Sequence, residues 1–319
     1  SFIFLTSLFL TDNIQNPRGF FPSLLGSTGV VQIESAVPNQ YGDFSVQGWG
    51  GFFFDDPFIS SNKHSRNRMR ITANFTLPKG LEVFSGTAFT FNESSNSGSS
   101  SSSTSFFENT DFGLRWGKWL SENFLAVGVQ GYGRFFSGTQ TQRNKSGFSR
   151  GTSGPAAQAE LQINLTMDFR EMLKEIPLRS HFNLGYRTPN SNLKPAGTAN
   201  REDQIEMFNL DAYKYQAITG GFAVEVPFKW VNPYVELALE YALFPGSGTK
   251  FKHNRQKLGT GAKVTPHESV AFLVGAEFGL LGDTSSTTVP IPQNTPWGAF
   301  IGLRCSANTK AVSYTHLTL

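Results

Sequence analysis

Apolar and acidic side chains alternate along VNPYVELALEYAL, which covers residues 231–243. Leu237 and Leu239 lie at odd-numbered positions there, and Glu236 and Glu240 lie at even-numbered positions. Successive side chains of a β-strand point to opposite faces, so this segment predicts a strand with one apolar and one charged face. One such strand fits a soluble sheet as well as a membrane barrel, and the choice depends on how often the pattern recurs.

The same alternation recurs along most of the chain. Many of the segments approach the ~9–11 residues that a strand needs to cross a bilayer, whereas soluble strands are more often ~5–6 residues long. A twelfth strand is expected over residues 283–291, because the chain has to return to the side from which it starts. The other eleven segments are residues 43–54, 68–77, 81–91, 110–116, 125–135, 157–167, 178–186, 218–226, 231–243, 270–280 and 297–303.

These segments predict an all-β fold, an antiparallel transmembrane β-barrel of about 12 strands. A closed barrel leaves no unpaired strand edge in lipid, whereas an open sheet does. Aromatic residues also gather near strand ends, as at Trp116, Trp119 and Trp230, which indicates girdles at the two membrane surfaces.

Short and long connections alternate between the predicted strands. Bacterial outer-membrane barrels combine short periplasmic turns with long external loops, and we expect the same arrangement here. The serine-rich residues 94–105 are predicted to form a mobile external loop, because they offer few apolar side chains to bury. The short connections cover residues 78–80, 118–123, 168–177 and 227–232, and the long ones cover residues 55–67, 92–105, 137–154, 188–215 and 245–265.

The composition agrees with this class of protein. Charged residues make up 16% of the 319 residues and the net charge is +3, which is too small to favour a nucleic acid as a partner. No run approaches the ~18 apolar residues of a helical membrane span. Cys305 is the only cysteine, so a disulfide within the chain is excluded.

The two ends of the chain differ from the middle. Residues 1–15 contain the apolar run FIFLTSLFL and are expected to be the remnant of a secretory signal. Residues 16–42 are expected to form a periplasmic or lumenal entry segment, and residues 43–306 the outer-membrane barrel. Residues 307–319 are expected to be a tail that is not native, because residues 312–319 (VSYTHLTL) resemble a translated sequencing adapter.

The inward faces of the predicted strands carry a set of charges in which seven are basic and seven acidic. Two interpretations stay open: the charges pair and fill the lumen, because an unpaired buried charge is costly, or they line a channel with a transverse field. A barrel of about 12 strands lies between filled small barrels and open porins, so its size does not decide between a filled lumen and a channel. The predicted lumen charge set is Arg68, Arg70, Glu82, Asp111, Arg115, Arg134, Glu160, Arg179, Arg187, Glu225, Glu236, Glu240, Glu277 and Arg304.

No catalytic residue is assigned, and no metal or cofactor is expected. The sequence GFSRG matches the G-x-S-x-G motif of hydrolases, but Ser149 lies in a long polar loop rather than between a strand and a helix. His181 is predicted to face inward, and no histidine pairs with a serine in an evident way. No group of His, Cys and Asp has the spacing of metal ligands.

The order of segments resembles the outer-membrane barrel that precedes an OmpA-type peptidoglycan-binding domain in some myxobacterial, Bdellovibrio-like and related proteins. The resemblance covers about residues 28–304 and rests on strand and turn residues, not on a catalytic signature. It implies peptidoglycan as a partner through a domain that would follow this chain. The matching segments are TGVVQIESAVPNQYGDFSVQG (residues 28–48), SHFNLGYR (180–187), GGFAVEVPFKWVNPYVELALEYA (220–242) and TPWGAFIGLR (295–304).

We therefore expect a non-enzymatic protein of the bacterial outer membrane that serves as a structural anchor and as a pore for small solutes. Its expected partners are outer-membrane lipid and lipopolysaccharide. An outer-membrane barrel enzyme of the lipase or protease type is one alternative. A soluble β-sandwich binding module is the other.

Overall fold

The computed structural model of the protein describes twelve strands and parts of the segments that join them. The described residues are 23, 29, 31–59, 62–96, 102–121, 124–136, 156–170, 172–173, 177–189, 216–243, 254–281 and 297–308.

The twelve strands form a closed antiparallel barrel in which each strand pairs with its neighbours in sequence and β12 pairs with β1. At the closure, Asp43 is the register partner of Asn308 and Phe52 is the partner of Ala299. The predicted fold class is therefore confirmed, and the β-sandwich alternative is excluded. The strands are β1 (Asp43–Ile59), β2 (Asn62–Thr76), β3 (Leu81–Asn96), β4 (Ser102–Trp119), β5 (Leu125–Phe136), β6 (Ala156–Asp168), β7 (Arg179–Arg187), β8 (Gln216–Glu225), β9 (Val231–Leu243), β10 (Arg255–His267), β11 (Val270–Leu281) and β12 (Trp297–Asn308).

Alternation sets the two faces of the barrel wall. In β6, Leu161 and Ile163 are each 60% exposed, whereas Gln162 and Asn164 between and beside them are 7% and 0% exposed. The interior is therefore polar and the exterior apolar, the reverse of a soluble barrel. The same outward exposure holds on strands all around the barrel, as for Met69, Leu114, Phe182, Val235, Phe272 and Ile301.

The two ends of the barrel differ in how the strands are joined. At one end, here called the short-turn end, the connections are residues 77–80, 120–124, 169–178, 226–230 and 268–269. The opposite end carries two short connections, residues 60–61 and 97–101, and four long ones, residues 137–155, 188–215, 244–254 and 282–296, and is here called the long-loop end. β1 begins and β12 finishes at the short-turn end, as the paired residues Asp43 and Asn308 show.

The first four strands are longer than the sequence indicates, at 17, 15, 16 and 18 residues. Residues 55–67 were predicted to be a long loop, but residues 55–59 and 62–67 belong to β1 and β2. The serine-rich loop prediction is wrong in part, because β3 continues to Asn96 and β4 begins at Ser102. Backbone pairing between two strands needs no apolar side chains, which is why composition alone misjudged these segments.

The strand β10 is another correction, because residues 245–265 were predicted to be a loop. Its alternation is hidden by Gly259 and Gly261, which take inward positions of the kind that carry polar side chains on other strands. A Cβ at Gly259 would lie 2.7 Å from Cγ of Glu236, so the glycine makes room for that side chain. The twelfth strand predicted over residues 283–291 lies outside the described residues. At the other end, β12 extends to Asn308, two residues beyond the predicted barrel boundary.

The residues that precede β1 lie inside the barrel. Val31, Ile33, Ala36 and Val37 are between 0% and 3% exposed, although they belong to none of the strands. We call residues 31–39 the lumenal segment. Its apolar side chains Val31 and Ile33 pack against Trp49 and other inward-facing residues of the wall.

Candidate functional site

The lumenal segment is held at mid-lumen by two glutamates of the wall. The backbone N–H groups of Val31 and Gln32 donate to one carboxylate oxygen of Glu236 on β9, at 3.2 and 3.0 Å. The side-chain amide of Gln32 donates to Glu277 on β11 at 2.7 Å. Glu236 is 2% exposed. A carboxylate that accepts two backbone N–H groups satisfies donors that would otherwise be buried without partners.

Polar side chains of β7 and β6 hold the middle of the segment. Asn183 accepts a hydrogen bond from the N–H of Glu34 at 2.6 Å and donates to the carbonyl of Glu34 at 2.9 Å. Farther toward the short-turn end, the N–H of Ala36 donates to the hydroxyl of Thr166 at 2.9 Å. The hydroxyl of Ser35 lies 3.4 Å from the same Thr166 oxygen.

The segment leaves the lumen beside β3 and β4. Arg115 donates to the carbonyl of Val37 at 2.6 Å, and its other terminal nitrogen donates to Glu82 at 3.2 Å. The side chain of Asn39 also donates to Glu82, at 3.0 Å. One buried ion pair of the wall therefore fixes the exit of the segment.

Glycines of the wall let the segment approach closely. A Cβ at Gly117 would lie 2.2 Å from the carbonyl oxygen of Ala36, and a Cβ at Gly221 would lie 2.2 Å from Cδ1 of Ile33. Real Cβ atoms do not come this close to other heavy atoms. The wall and the segment are thus complementary in shape as well as in hydrogen bonding.

Near the short-turn end, a second ion-pair group joins β6, β7, β8 and β10. Arg179 donates to Asp168 and to Glu225, each at 2.8 Å. Lys263 reaches Glu225 at 3.0 Å, and His181 lies 3.4 Å from the same carboxylate. Lys263 also donates to the carbonyl of Gly29, at 3.1 Å.

Toward the long-loop end, arginines of β2 and β5 bind two buried carboxylates of β4. Arg70 and Arg134 both bind Asp111, the latter at 2.9 Å. Arg66 and Arg68 bind Glu108 at 3.5 and 2.5 Å. Both carboxylates are 0% exposed.

A chain of alternating charges continues around the wall from β5 to β10. Glu160 accepts hydrogen bonds from Tyr132 at 2.6 Å and from Arg187 at 2.7 Å. Arg187 continues to Glu240 at 3.3 Å, and Arg255 reaches the same glutamate at 3.6 Å. On the next strands, Lys257 lies 3.2 Å from Glu277.

All fourteen residues of the predicted lumen charge set face the interior. The structure brings most of them into ion pairs, and Arg304 on β12 faces the same interior beside Asp43 and Glu82. Glu236 differs from the other members, because the contacts described for it are backbone N–H groups of the lumenal segment.

Sequence reasoning missed several lumen charges, and Glu108 shows why. A bulge lies between the pairs Ala88–Asn109 and Phe89–Phe107, so Glu108 is the extra residue. Strict alternation assigns Glu108 to the lipid face, but the bulge turns both Glu108 and Asn109 inward. Asp168 and Lys263 were missed for a simpler reason, since they lie in segments predicted to be connections. The remaining missed members are Glu34, Arg66, Arg255 and Lys257.

A cavity of about 220 Å³ lies between the lumenal segment and the long-loop end. Residues 31–34 form its floor. Among the described residues, its lining includes seven cationic side chains and four carboxylates. Trp49, Phe53 and Phe300 add an aromatic surface, here called the aromatic patch. The cationic side chains are Arg66, Arg68, Arg70, Arg134, Arg187, Arg255 and Lys257, and the carboxylates belong to Glu34, Glu160, Glu240 and Glu277.

The described part of the chain contains no group of three or more His, Cys, Asp and Glu residues that could hold a metal ion. Nor does it contain a helix that is long and apolar enough to span a membrane. His181 is buried, with the hydroxyl of Thr166 at 2.9 Å from Nδ1 and Glu225 beside Nε2. Ser149 of the G-x-S-x-G match lies outside the described residues.

No protein-family model matches the sequence, and no curated protein matches it either. The resemblance to OmpA-type barrels therefore stays a prediction.

Similar architectures are found among solved structures. An outer membrane channel from Pseudomonas putida F1 has a TM-score of 0.52 at 11% identity, over 84% of this chain and 96% of the channel. The NanC porin has a TM-score of 0.47 at 8% identity, over 82% and 98% of the two chains. The beta domain of the Bordetella autotransporter BrkA has a TM-score of 0.46 at 12% identity, over 83% and 99%. The likeness to the Pseudomonas channel shows that this chain has the fold of an outer-membrane β-barrel.

Proposed function

We propose that this chain is a non-enzymatic β-barrel of the bacterial outer membrane that passes small solutes when its lumenal segment moves. The observation that carries the proposal is the combination of an apolar outer wall with a polar lumen that is filled only in part. The lumenal segment occupies the half near the short-turn end, and a cavity of about 220 Å³ occupies part of the other half.

The apolar exterior supports a membrane location. Side chains such as Leu114, Leu184 and Ile301 are 54%, 62% and 64% exposed, and burying them in water-free lipid is favourable. Closure of β12 onto β1 leaves no strand edge unpaired, which the hydrocarbon core of a bilayer requires. With short turns in the periplasm, the cavity faces outward from the cell.

The lumen supports solute passage because many of the charges in its wall are already paired with each other. Charges such as Arg179 and Glu225 are paired within the wall, so a passing solute does not have to supply partners for them. The lumenal segment is bound by separate hydrogen bonds to Glu236, Asn183 and Thr166. Each such bond contributes about 0.5–1.5 kcal/mol net, so the segment can be displaced without unfolding the wall.

Lipid and lipopolysaccharide are the partners that this location implies. The anchor role and the peptidoglycan partner are part of the proposal, and they rest on the resemblance of the sequence to OmpA-type barrels.

A reversible disulfide between the segment and the wall tests the proposal. The side-chain oxygens of Ser35 and Thr166 are 3.4 Å apart, so cysteine sulfurs at these two positions need to move only a little to reach the ~2.05 Å of an S–S bond. We expect the double variant Ser35→Cys/Thr166→Cys, made in a Cys305→Ser background, to conduct in planar bilayers when reduced. Oxidation should hold the segment in place and abolish most of the conductance, and a reductant should restore it.

The two single-cysteine variants are the matched controls, and oxidation should leave their conductance unchanged. Folding is checked on gels, where the unboiled barrel should migrate anomalously and shift on heating. Absence of conductance in folded, reduced protein would refute the pore. Equal conductance in the oxidised and reduced forms would refute the movement of the segment.

A further inference from the structure

We propose that the cavity above the lumenal segment is a binding site for a small carboxylate that carries a flat apolar ring. The proposal rests on the proposed function, because it names the class of solute that the barrel admits. Three features carry it: guanidinium groups on one wall, the aromatic patch beside them, and the size of the space between.

The charged wall presents guanidinium groups that a carboxylate can bind. Arg70 and Arg134 share the single carboxylate of Asp111, so these three groups carry one net positive charge. Asp111 is completely buried, and both arginines line the cavity. The forked donors of arginine match the two oxygens of a carboxylate, which favours this anion over a spherical one.

Arg70 has donor capacity that its described partners do not use. Its side chain is 4% exposed, and its Nε has no hydrogen-bond partner among the described residues. Arg68 and Arg134 lie close enough to repel its charge. A bound anion would satisfy the buried donor and reduce this repulsion, and both effects favour binding.

The aromatic patch lies directly beside the arginines. Trp49 is the register partner of Arg70, and Phe53 is the partner of Arg66. The rings of Trp49 and Phe300 are tilted with centroids 5.9 Å apart. A ring held against these side chains would bury apolar area while its carboxylate stays within reach of Arg70.

Gly51 lies between two aromatic positions of β1, Trp49 and Phe53, and its missing side chain leaves a notch in this wall. It faces inward between Trp49 and Phe53, and it is the register partner of Arg68. A Cβ at Gly51 would meet nothing closer than 3.8 Å. The notch is therefore open space, and a larger side chain at this position would fill part of the cavity without displacing the wall.

The size of the cavity limits the ligand to one ring. Pockets for drug-sized molecules measure ~300–1,000 Å³, whereas a buried apolar cavity of ~150 Å³ already holds benzene. The cavity here measures about 220 Å³. A single-ring acid fits this space, and a larger polycyclic acid does not.

Binding of benzoate to the detergent-solubilised barrel tests the proposal, with calorimetry and the change in total tryptophan fluorescence, to which Trp49 contributes, as readouts. Benzamide has the ring without the charge, and acetate has the charge without the ring. We expect both to bind at least about tenfold more weakly than benzoate, because each lacks one of the two contacts. We expect Arg70→Gln to weaken benzoate by about tenfold or more and to leave benzamide nearly unchanged.

Gly51→Leu and Gly50→Leu form a matched pair. Gly50 is next in sequence but faces outward, where a Cβ would meet only Ile301 at 3.8 Å. We expect Gly51→Leu to abolish benzoate binding and Gly50→Leu to leave it unchanged, with the same shift on heated gels for both. Equal binding of benzoate and benzamide, or unaltered benzoate binding in Gly51→Leu, would overturn the proposal.

This experiment does not depend on conductance. A folded barrel that binds benzoate but never conducts would contradict the proposed pore and leave the site standing. A barrel that conducts but does not bind benzoate would do the opposite.

Discussion

At the scale of single residues, the lumen is held together by ion pairs whose members are removed from water. The side chains of Arg115 and Glu82 are 0% and 1% exposed, and the pair is 3.2 Å long. Taking two charges out of water is expensive, and their mutual attraction offsets this cost only while both are present. The pair is therefore a weak source of net stability but a sensitive point for substitution.

We expect Arg115→Met to lower the free energy of unfolding by about 3–5 kcal/mol, because it leaves the Glu82 carboxylate buried without its guanidinium. Urea unfolding of the barrel refolded in detergent measures this change. The double variant Arg115→Met/Glu82→Gln is the control, and it should recover a large part of the loss. If the double variant were as unstable as the single one, lost packing rather than an isolated charge would be the cause.

At the scale of elements, the accuracy of the sequence-based prediction depended on whether each strand keeps a strict alternation. β6 does so, and its two faces were predicted residue by residue. β4 contains the bulge at Glu108, and a bulge changes parity without any mark in a single sequence. β10 places Gly259 and Gly261 on the inward face, where glycine is needed because side chains of β9 occupy the space that a Cβ would fill.

The lumenal segment is an element whose position the sequence left open. Residues 16–42 were predicted to form a periplasmic or lumenal entry segment, and no pattern within them tells which of the two locations is correct. The structure answers this through wall side chains far away in sequence, such as Asn183 and Glu236. Gly117 shows the fit most clearly, because the nearest atoms that a Cβ there would meet belong to Ala36 of the segment.

We expect Gly117→Val to displace the lumenal segment while the barrel wall stays closed. The added side chain would overlap the carbonyl oxygen of Ala36, which a Cβ would approach to 2.2 Å. Overlap of this kind typically costs about 1–3 kcal/mol, similar to a few of the hydrogen bonds that hold the segment. Thiol labelling of Ser35→Cys, in a Cys305→Ser background, measures the displacement and should become faster.

Gly131→Val is the matched control for this variant. Gly131 faces outward on β5, and a Cβ there would meet atoms only at 3.8 and 3.9 Å. Labelling of Ser35→Cys should be as slow in this control as in the parent protein. Slow labelling in both variants, with normal heat-shifted bands on gels, would show that the wall yields instead of the segment.

At the scale of the whole molecule, closure of the barrel joins the alternating faces of twelve strands into one apolar outer surface and one polar inner surface. Alternation predicts which side chains face inward, as it did for Glu240 and Arg187, because parity is a property of each strand alone. Which of them meet is set by strand order and by the width of the lumen, and a single sequence contains neither. The distribution of charge along the barrel axis is therefore a result of the structure.

That distribution predicts how the open barrel selects ions. The described lining of the cavity contains seven cationic side chains and four carboxylates. The buried Glu108 and Asp111, which bind four of these arginines, raise the carboxylates to six, so one net positive charge remains and anions should be enriched there. In a KCl gradient we expect a reversal potential that favours chloride, and Arg70→Gln should shift it toward zero. Lys118→Gln removes the same charge from the exposed outer face of β4 and should leave the potential unchanged. A potassium-selective reversal potential, or an equal shift in both variants, would show that the charges around the cavity do not control permeation.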